Sequence, residues 1–153
     1  MNFNSKADTL HSLENILQKG KILPQICFSA KNFETKIHSV VEEISERGWD
    51  KISLIVRSSG ASEDGQNESL AGHFSSVPDV NGPNELKKAV QKVAQSFKDV
   101  KEQDQIFIQP MLQNVTMSGV AFSSDPNLGS EYIIINYDEE SGSTSSVTSG
   151  TSN

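Results

Sequence analysis

Apolar residues recur along this chain with two periods, and the switches between them mark out its elements. Over 5–18, Leu10, Leu13, Ile16 and Leu17 share one face of a helical period with charged residues opposite, and Gly20 closes the segment. Ile22-Leu23-Pro24 leads into a short apolar run, Ile26-Cys27-Phe28, that reads as a strand. Phe33, Ile37, Val40, Val41 and Ile44 define a second helix over 31–47, stopped by Gly48. Residues 52–56 form a strand in which Ser53 alone is polar, the pattern of a strand covered on both faces. A long loop runs to about residue 73, and a short segment follows around 74–80. Asn81-Gly82-Pro83-Asn84 is a turn in which Asn84 can cap a third helix reaching Lys98, with Leu86, Val90, Val93 and Phe97 on its inner face. Over 105–112, Ile106, Ile108 and Pro110 alternate with Phe107, Gln109 and Met111, a strand with a proline near its end. Strands over 115–122 and 131–137 follow, separated by a turn at Ser124-Asp125-Pro126-Asn127. Three helices among five or six strands, the last of them consecutive, define an α+β fold with a mixed or antiparallel sheet rather than a doubly wound one. There is no internal repeat.

Composition narrows the function classes. The chain has 153 residues, 35% hydrophobic and 22% charged, which suits one soluble folded domain. A net charge of −7 repels nucleic acid and anionic membrane, so any phosphate must be held by a local site. No apolar run approaches the ~20 residues of a membrane span, and Met-Asn-Phe-Asn-Ser-Lys lacks the apolar core of a secretory leader. The single cysteine, Cys27, excludes an internal disulfide and a thiolate metal cluster, which points to a reducing, cytoplasmic setting. Beside Phe28 it reads as a small core residue rather than a nucleophile.

The densest chemistry lies at 55–73. There an apolar strand runs into Arg57 and then into a loop of small and polar residues, Ser58 to His73. A guanidinium fixed by a buried strand, beside many free backbone N–H groups, is a polyanion-binding arrangement. A salt bridge from Arg57 to Glu63 or Asp64 is the structural alternative. His11 and His38 sit among polar helix neighbours and read as surface residues. The carboxylates Asp138-Glu139-Glu140 read as solvated charge.

Six segments, in order, resemble one family. They are Asn4-Ser5-Lys6-Ala7-Asp8-Thr9-Leu10, Val56-Arg57-Ser58-Ser59 with Ser62-Glu63-Asp64, Ser69-Leu70-Ala71-Gly72 with Ser76, Gln109-Pro110-Met111, Ser118-Gly119-Val120-Ala121-Phe122-Ser123-Ser124-Asp125-Pro126, and Val147-Thr148-Ser149-Gly150. Together they are similar to the nucleotide-binding domain of phosphoenolpyruvate synthase and pyruvate phosphate dikinase, a variant of the ATP-grasp fold. Two departures stand out: Ser5 and Ala7 replace the glycines that flank the family's lysine, and Asp138 to Thr144 replaces its Gly-x-Gly-Glu region. The second departure resembles members found with cell-surface polysaccharide genes, including ATP-dependent L-glutamine kinases.

The resemblance implies roles. Lys6 and Arg57 would contact the phosphates of ATP. Ser69, Ala71, Gly72 and Ser76 would form a lid over the triphosphate, and Gln109, Pro110 and Met111 an adenine hinge. The plain alternatives are a surface lysine, a surface turn and an edge strand ended by Pro110. The chain is expected to be the N-terminal portion of a larger phosphotransferase, with 1–138 the nucleotide-binding domain and 139–153 a Ser/Gly/Thr-rich lead into the missing half. Magnesium ligands, the catalytic groups and a phosphohistidine domain would then lie downstream, and His73 is not the phosphorylated residue. The implied reaction cleaves ATP to AMP and phosphate and passes the β-phosphoryl through histidine to a small acceptor, the amide of L-glutamine or else pyruvate. A non-catalytic nucleotide-sensing module and an interaction domain on a degenerate scaffold are the other classes.

Overall fold

The computed structural model describes residues 5–60, 75–125 and 128–140. The chain divides into two units, Met1–Met111 and Leu112–Asn153. In the first, α1 (Lys6–Leu13), β1 (Ile26–Ser29), α2 (Phe33–Glu46), β2 (Leu54–Ser59), β3 (Ser76–Val80), α3 (Gly82–Gln95) and β4 (Gln105–Pro110) follow in order. The strands form one sheet in the order β1-β4-β2-β3, with every neighbouring pair antiparallel. It follows that β1 and β2 run parallel on either side of β4, and β3 and β4 on either side of β2. The helices α2 and α3 are the crossovers of two interlocked split β-α-β units. The sequence-based expectation of three helices and an antiparallel sheet is met.

The two helices cover one face of the sheet, and the hydrophobic core lies beneath them. Ile26 and Phe28 of β1, Leu54 and Val56 of β2, Val80, and Ile106 and Ile108 of β4 meet Val40 and Ile44 of α2 and Leu86, Val90 and Val93 of α3. Phe33, Ile37 and Val41 pack at the margin, so the stripe read from the α2 sequence is the stripe that is used. Gly48 ends α2 with φ 69°, a conformation that costs any residue with a Cβ. The third helix starts earlier than expected. Pro83 fits its first turn, so Asn81 takes the cap position, Asn84 falls inside the helix, and Asn81 N–H donates to Glu85 Oε2 at 2.9 Å. At the far end the helix stops at Gln95 instead of Lys98.

The first helix departs most from its pattern. It ends at Leu13, and Ile16 and Leu17, expected inside, are 49% and 42% exposed. The buried contact of α1 is instead Ala7, because the helix docks by its polar N-terminal end and not by an apolar stripe.

Strand β3 carries the irregularity that matters for the site. Leu54 pairs with Val80 but Val56 pairs with Val77, so β3 holds one extra residue between them. The bulge falls at Pro78-Asp79, where Asp79 has φ 54°, on an edge strand that can spare the proline's missing donor. Beyond it the register is shifted by one, and Ser76 rather than Val77 stands opposite Arg57.

In the second unit, β5 (Ser118–Phe122) and β6 (Ile134–Asp138) form an antiparallel pair. Gly119 lies opposite Tyr137, and a Cβ there would meet Asn136 O at 2.6 Å, so the position admits only glycine without a shift.

Ile108 and Ile16 provide a contrast that tests the core assignment. Ile108→Ala, at a fully buried position, should lower stability by about 2–5 kcal/mol. Ile16→Ala should stay within about 0.5 kcal/mol. Chemical denaturation of both variants checks the pair.

Candidate nucleotide-binding site

The sheet face away from α2 and α3 is built differently. Alternation along antiparallel strands puts Cys27, Phe107, Arg57 and Ser76 in one row across all four strands, since each is the register partner of the next. On the same face, Gln105 and Gln109 flank Phe107 along β4, and Ser59 follows Arg57 along β2. A strand expected to end before Arg57 in fact continues through Ser59, so the arginine sits within the sheet and not at its exit.

Arg57 is half-buried and lies on an aromatic ring. Its Cζ is 5.5 Å from the centroid of Phe107, a cation–π contact between direct cross-strand partners. Its charge thereby stays at the sheet surface in a defined direction. Ser76, across the strand pair on the other side, brings a hydroxyl to the same row.

The N-terminus of α1 is anchored beside this row. Ala7 N–H donates to Ser59 Oγ at 2.9 Å, and Gln25 Nε2 donates to Ala7 O at 2.9 Å. Ser5 is the N-cap: its Oγ accepts from Asp8 N–H at 3.2 Å and donates to Asp8 Oδ2 at 2.8 Å. Gln105 Nε2 completes the cluster on Asp8 Oδ1 at 3.3 Å. Ser5 and Ala7, on either side of Lys6, therefore each have a structural role. Ser5 caps the helix at φ −95°, where glycine is not required, and Ala7 is the close-packed contact with β2. Lys6, the first residue of α1, is thus fixed in backbone position next to the strand that carries Arg57.

The hinge segment is placed less simply. Strand β4 lies between β1 and β2, so the edge-strand alternative is excluded. Gln109 is buried and its Nε2 donates to Leu23 O at 3.2 Å, tying β4 to the segment before β1. Pro110 closes β4 opposite Leu54. Met111 N–H already donates to Ser53 O at 2.8 Å and is not on offer to a purine edge. Ser69, Ala71 and Gly72 of the lid lie outside the described residues, as do Glu63, Asp64 and His73. The structure accordingly brings Arg57, Ser76 and the N-terminus of α1 together with Gln109 on one face.

Phe107, Ser59 and Asp8 were not singled out from sequence. For Phe107 the signal was present: it is the one aromatic in the polar set Gln105-Phe107-Gln109 of a strand whose other side is Ile106-Ile108.

Other titratable groups stand apart. His11 and His38 are exposed, near Glu14 and Glu42 on their own helices, as their sequence setting suggested. Among the described residues no group of His, Cys, Asp or Glu is arranged to hold a metal ion. No described helix is long and apolar enough to cross a membrane. Cys27 is not the core residue expected, because the alternation of β1 turns it away from Ile26 and Phe28. The residue is exposed, but burial on its sheet side desolvates the thiolate and the Asp8 carboxylate repels it; together they push the thiol up from 9.0 to about 11.

Arg57 on the sheet face and the N-terminus of α1 beside it are groups of the kind that can meet an anion. The chain belongs to the pyruvate phosphate dikinase AMP/ATP-binding domain family, whose model matches residues 12–143. That match takes in Arg57, Ser76 and Gln109 to Met111, and makes this an ATP-binding domain of kinase and dikinase type. Lys6 and the segment Val147 to Gly150 lie outside the matched range. A comparison with curated proteins gave no match.

The raised thiol predicts slow alkylation. Iodoacetamide at pH 8 should modify Cys27 in the folded chain more slowly than in the urea-unfolded chain, with the gap narrowing as pH rises toward 11. The sign for stability follows. The folded state favours the protonated thiol, so its contribution is intact below pH 9 and is lost as pH rises through 11. A thiol-specific mass shift followed over pH 7–11 measures the first effect.

Proposed function

We propose that this chain supplies the first part of the nucleotide site of a phosphotransferase that cleaves ATP to AMP and phosphate and relays the β-phosphoryl through a histidine on a separate domain. The observation that supports it most is the Arg57 row: an arginine held on Phe107, faced by Ser76, beside the anchored start of α1, in a chain of an AMP/ATP-binding family. In this reading Arg57 pairs with phosphate oxygens through two parallel N–H donors, and Lys6 adds a second positive charge from the first turn of α1. Ser76, with Ser69, Ala71 and Gly72 of the loop before it, closes over the triphosphate. Gln109 to Met111 borders the adenine, with Gln109 fixing the strand's position rather than offering its side-chain amide. Phosphoryl transfer of this kind is mainly positioning and charge neutralisation, and those are what the row provides.

Magnesium would neutralise charge on the phosphates, and among the described residues no group of His, Cys, Asp or Glu is arranged to hold it. The acceptor we favour is the side-chain amide nitrogen of L-glutamine, because Asp138 to Thr144 resembles the L-glutamine kinases in the stretch where phosphoenolpyruvate synthases carry Gly-x-Gly-Glu. Pyruvate is the comparison substrate. A transfer assay with each acceptor supplied in turn decides between them by which one supports stoichiometric consumption of ATP.

Calorimetric titration with Mg-ATP and with AMP tests the site. The chain should bind ATP more tightly than AMP, since the extra phosphates meet Arg57 and Lys6. Arg57→Ala should weaken ATP binding by about 1.5–3 kcal/mol for each charged hydrogen bond lost, while AMP binding changes less. Unchanged ATP affinity in that variant would remove Arg57 from the site.

A further inference from the structure

Phe107 is fully buried, yet it stands outside the hydrophobic cluster that α2 and α3 form with the sheet. Its ring faces the other side, in a row whose other members are Cys27, Arg57 and Ser76, and with Gln105 and Gln109 as its neighbours along the strand. Its place outside that cluster leaves the ring to the face that carries Arg57. What it does touch is the guanidinium of its own cross-strand partner, 5.5 Å from ring centroid to Cζ.

From this geometry we infer that Phe107 is the positioning residue for Arg57, a platform that fixes the guanidinium for phosphate. The inference rests on the reading of this face as the triphosphate site and assigns a second residue to it. The ring's negative face attracts the cation and restricts the directions in which the guanidinium can lie. A flexible side chain becomes a fork with a set direction, and less freedom is lost when two N–H groups meet an anion. An aliphatic residue would fill the same volume without that attraction. Phe107 touches no reacting atom in this scheme and acts only through Arg57.

Two measurements on the full chain test it. In the first, ATP and adenosine are titrated into the wild type, Phe107→Leu, Phe107→Met, Phe107→Tyr, Arg57→Ala and the double variant Phe107→Leu/Arg57→Ala. Loss of the ring should weaken ATP binding roughly three- to thirtyfold, the span of cation–π contributions, with adenosine binding unchanged. Phe107→Tyr, which keeps the ring, should restore most of it, and the double variant should be no worse than Arg57→Ala. Equal losses for ATP and adenosine, or losses that add in the double variant, would show a packing role and overturn the inference. Phe107→Met keeps the comparison open if the leucine variant fails to fold. The second measurement needs no nucleotide. The Nε–H proton of Arg57 should carry an upfield ring-current shift in the wild type and Phe107→Tyr, lost in Phe107→Met. If that signature holds but the wild-type chain does not bind ATP, the site reading fails on its own; if the signature is absent, the platform fails whatever the chain binds.

Discussion

A permanent charge in the middle of a strand that is buried on one face must be given a place to lie on the other. In β2, Leu54 and Val56 belong to the core beneath the helices, and Arg57 cannot join them without losing its hydration. Period-two alternation sends it to the opposite face, and the antiparallel register with β4 puts Phe107 directly beneath it. Much of the unit can be understood from that constraint. The ring holds the cation at the surface, the bulge at Pro78-Asp79 brings Ser76 rather than Val77 alongside, and Ser59, two residues on, anchors α1 by the N–H of Ala7. One strand thus sends Leu54 and Val56 to the core and Arg57 and Ser59 to the opposite face.

Much of the core was legible in the sequence because it is written in period. The stripes of α2 and α3 and the alternation of β4 each survive into the structure, since burial under a helix layer selects for them. What misled were elements held by something other than an apolar stripe. Leu10, Leu13, Ile16 and Leu17 imitate an amphipathic helix over three further residues and more, but α1 is fastened at its N-terminal end by Ser5, Ala7 and Asp8 through hydrogen bonds that leave no periodic trace. Cys27 next to Phe28 suggested core, yet neighbours in a strand face opposite ways. The bulge in β3 was also invisible, although Pro-Asp before an apolar residue is compatible with it in hindsight.

The candidate site was legible in part for a similar reason. Arg57 announced itself by its place directly after an apolar run, and the family match supports the ATP-binding class to which that motif belongs. Partners distant in sequence, such as Ser59 for Ala7 and Phe107 for Arg57, depend on helix docking and strand register, which a single sequence does not display. Ser5 and Ala7 stand out in the sequence as departures from glycine around Lys6. In the fold they are substitutions with functions, a helix cap and a packed contact, and they keep the lysine's backbone in place by other means.

The central claim is that nucleotide is held on the Arg57 face of the sheet and not on the helical side, where a pocket of about 250 Å³ lies between Trp49, Leu54 and Leu86. Mapping backbone amide shifts of the full chain by NMR during titration with Mg-ATP addresses it most directly. The account predicts the largest changes at Lys6 to Asp8, Arg57 to Ser59 and Ser76, with α2 and α3 almost unmoved. Changes centred on Trp49, Gly82 and Leu86, with the β2 amides silent, would contradict it.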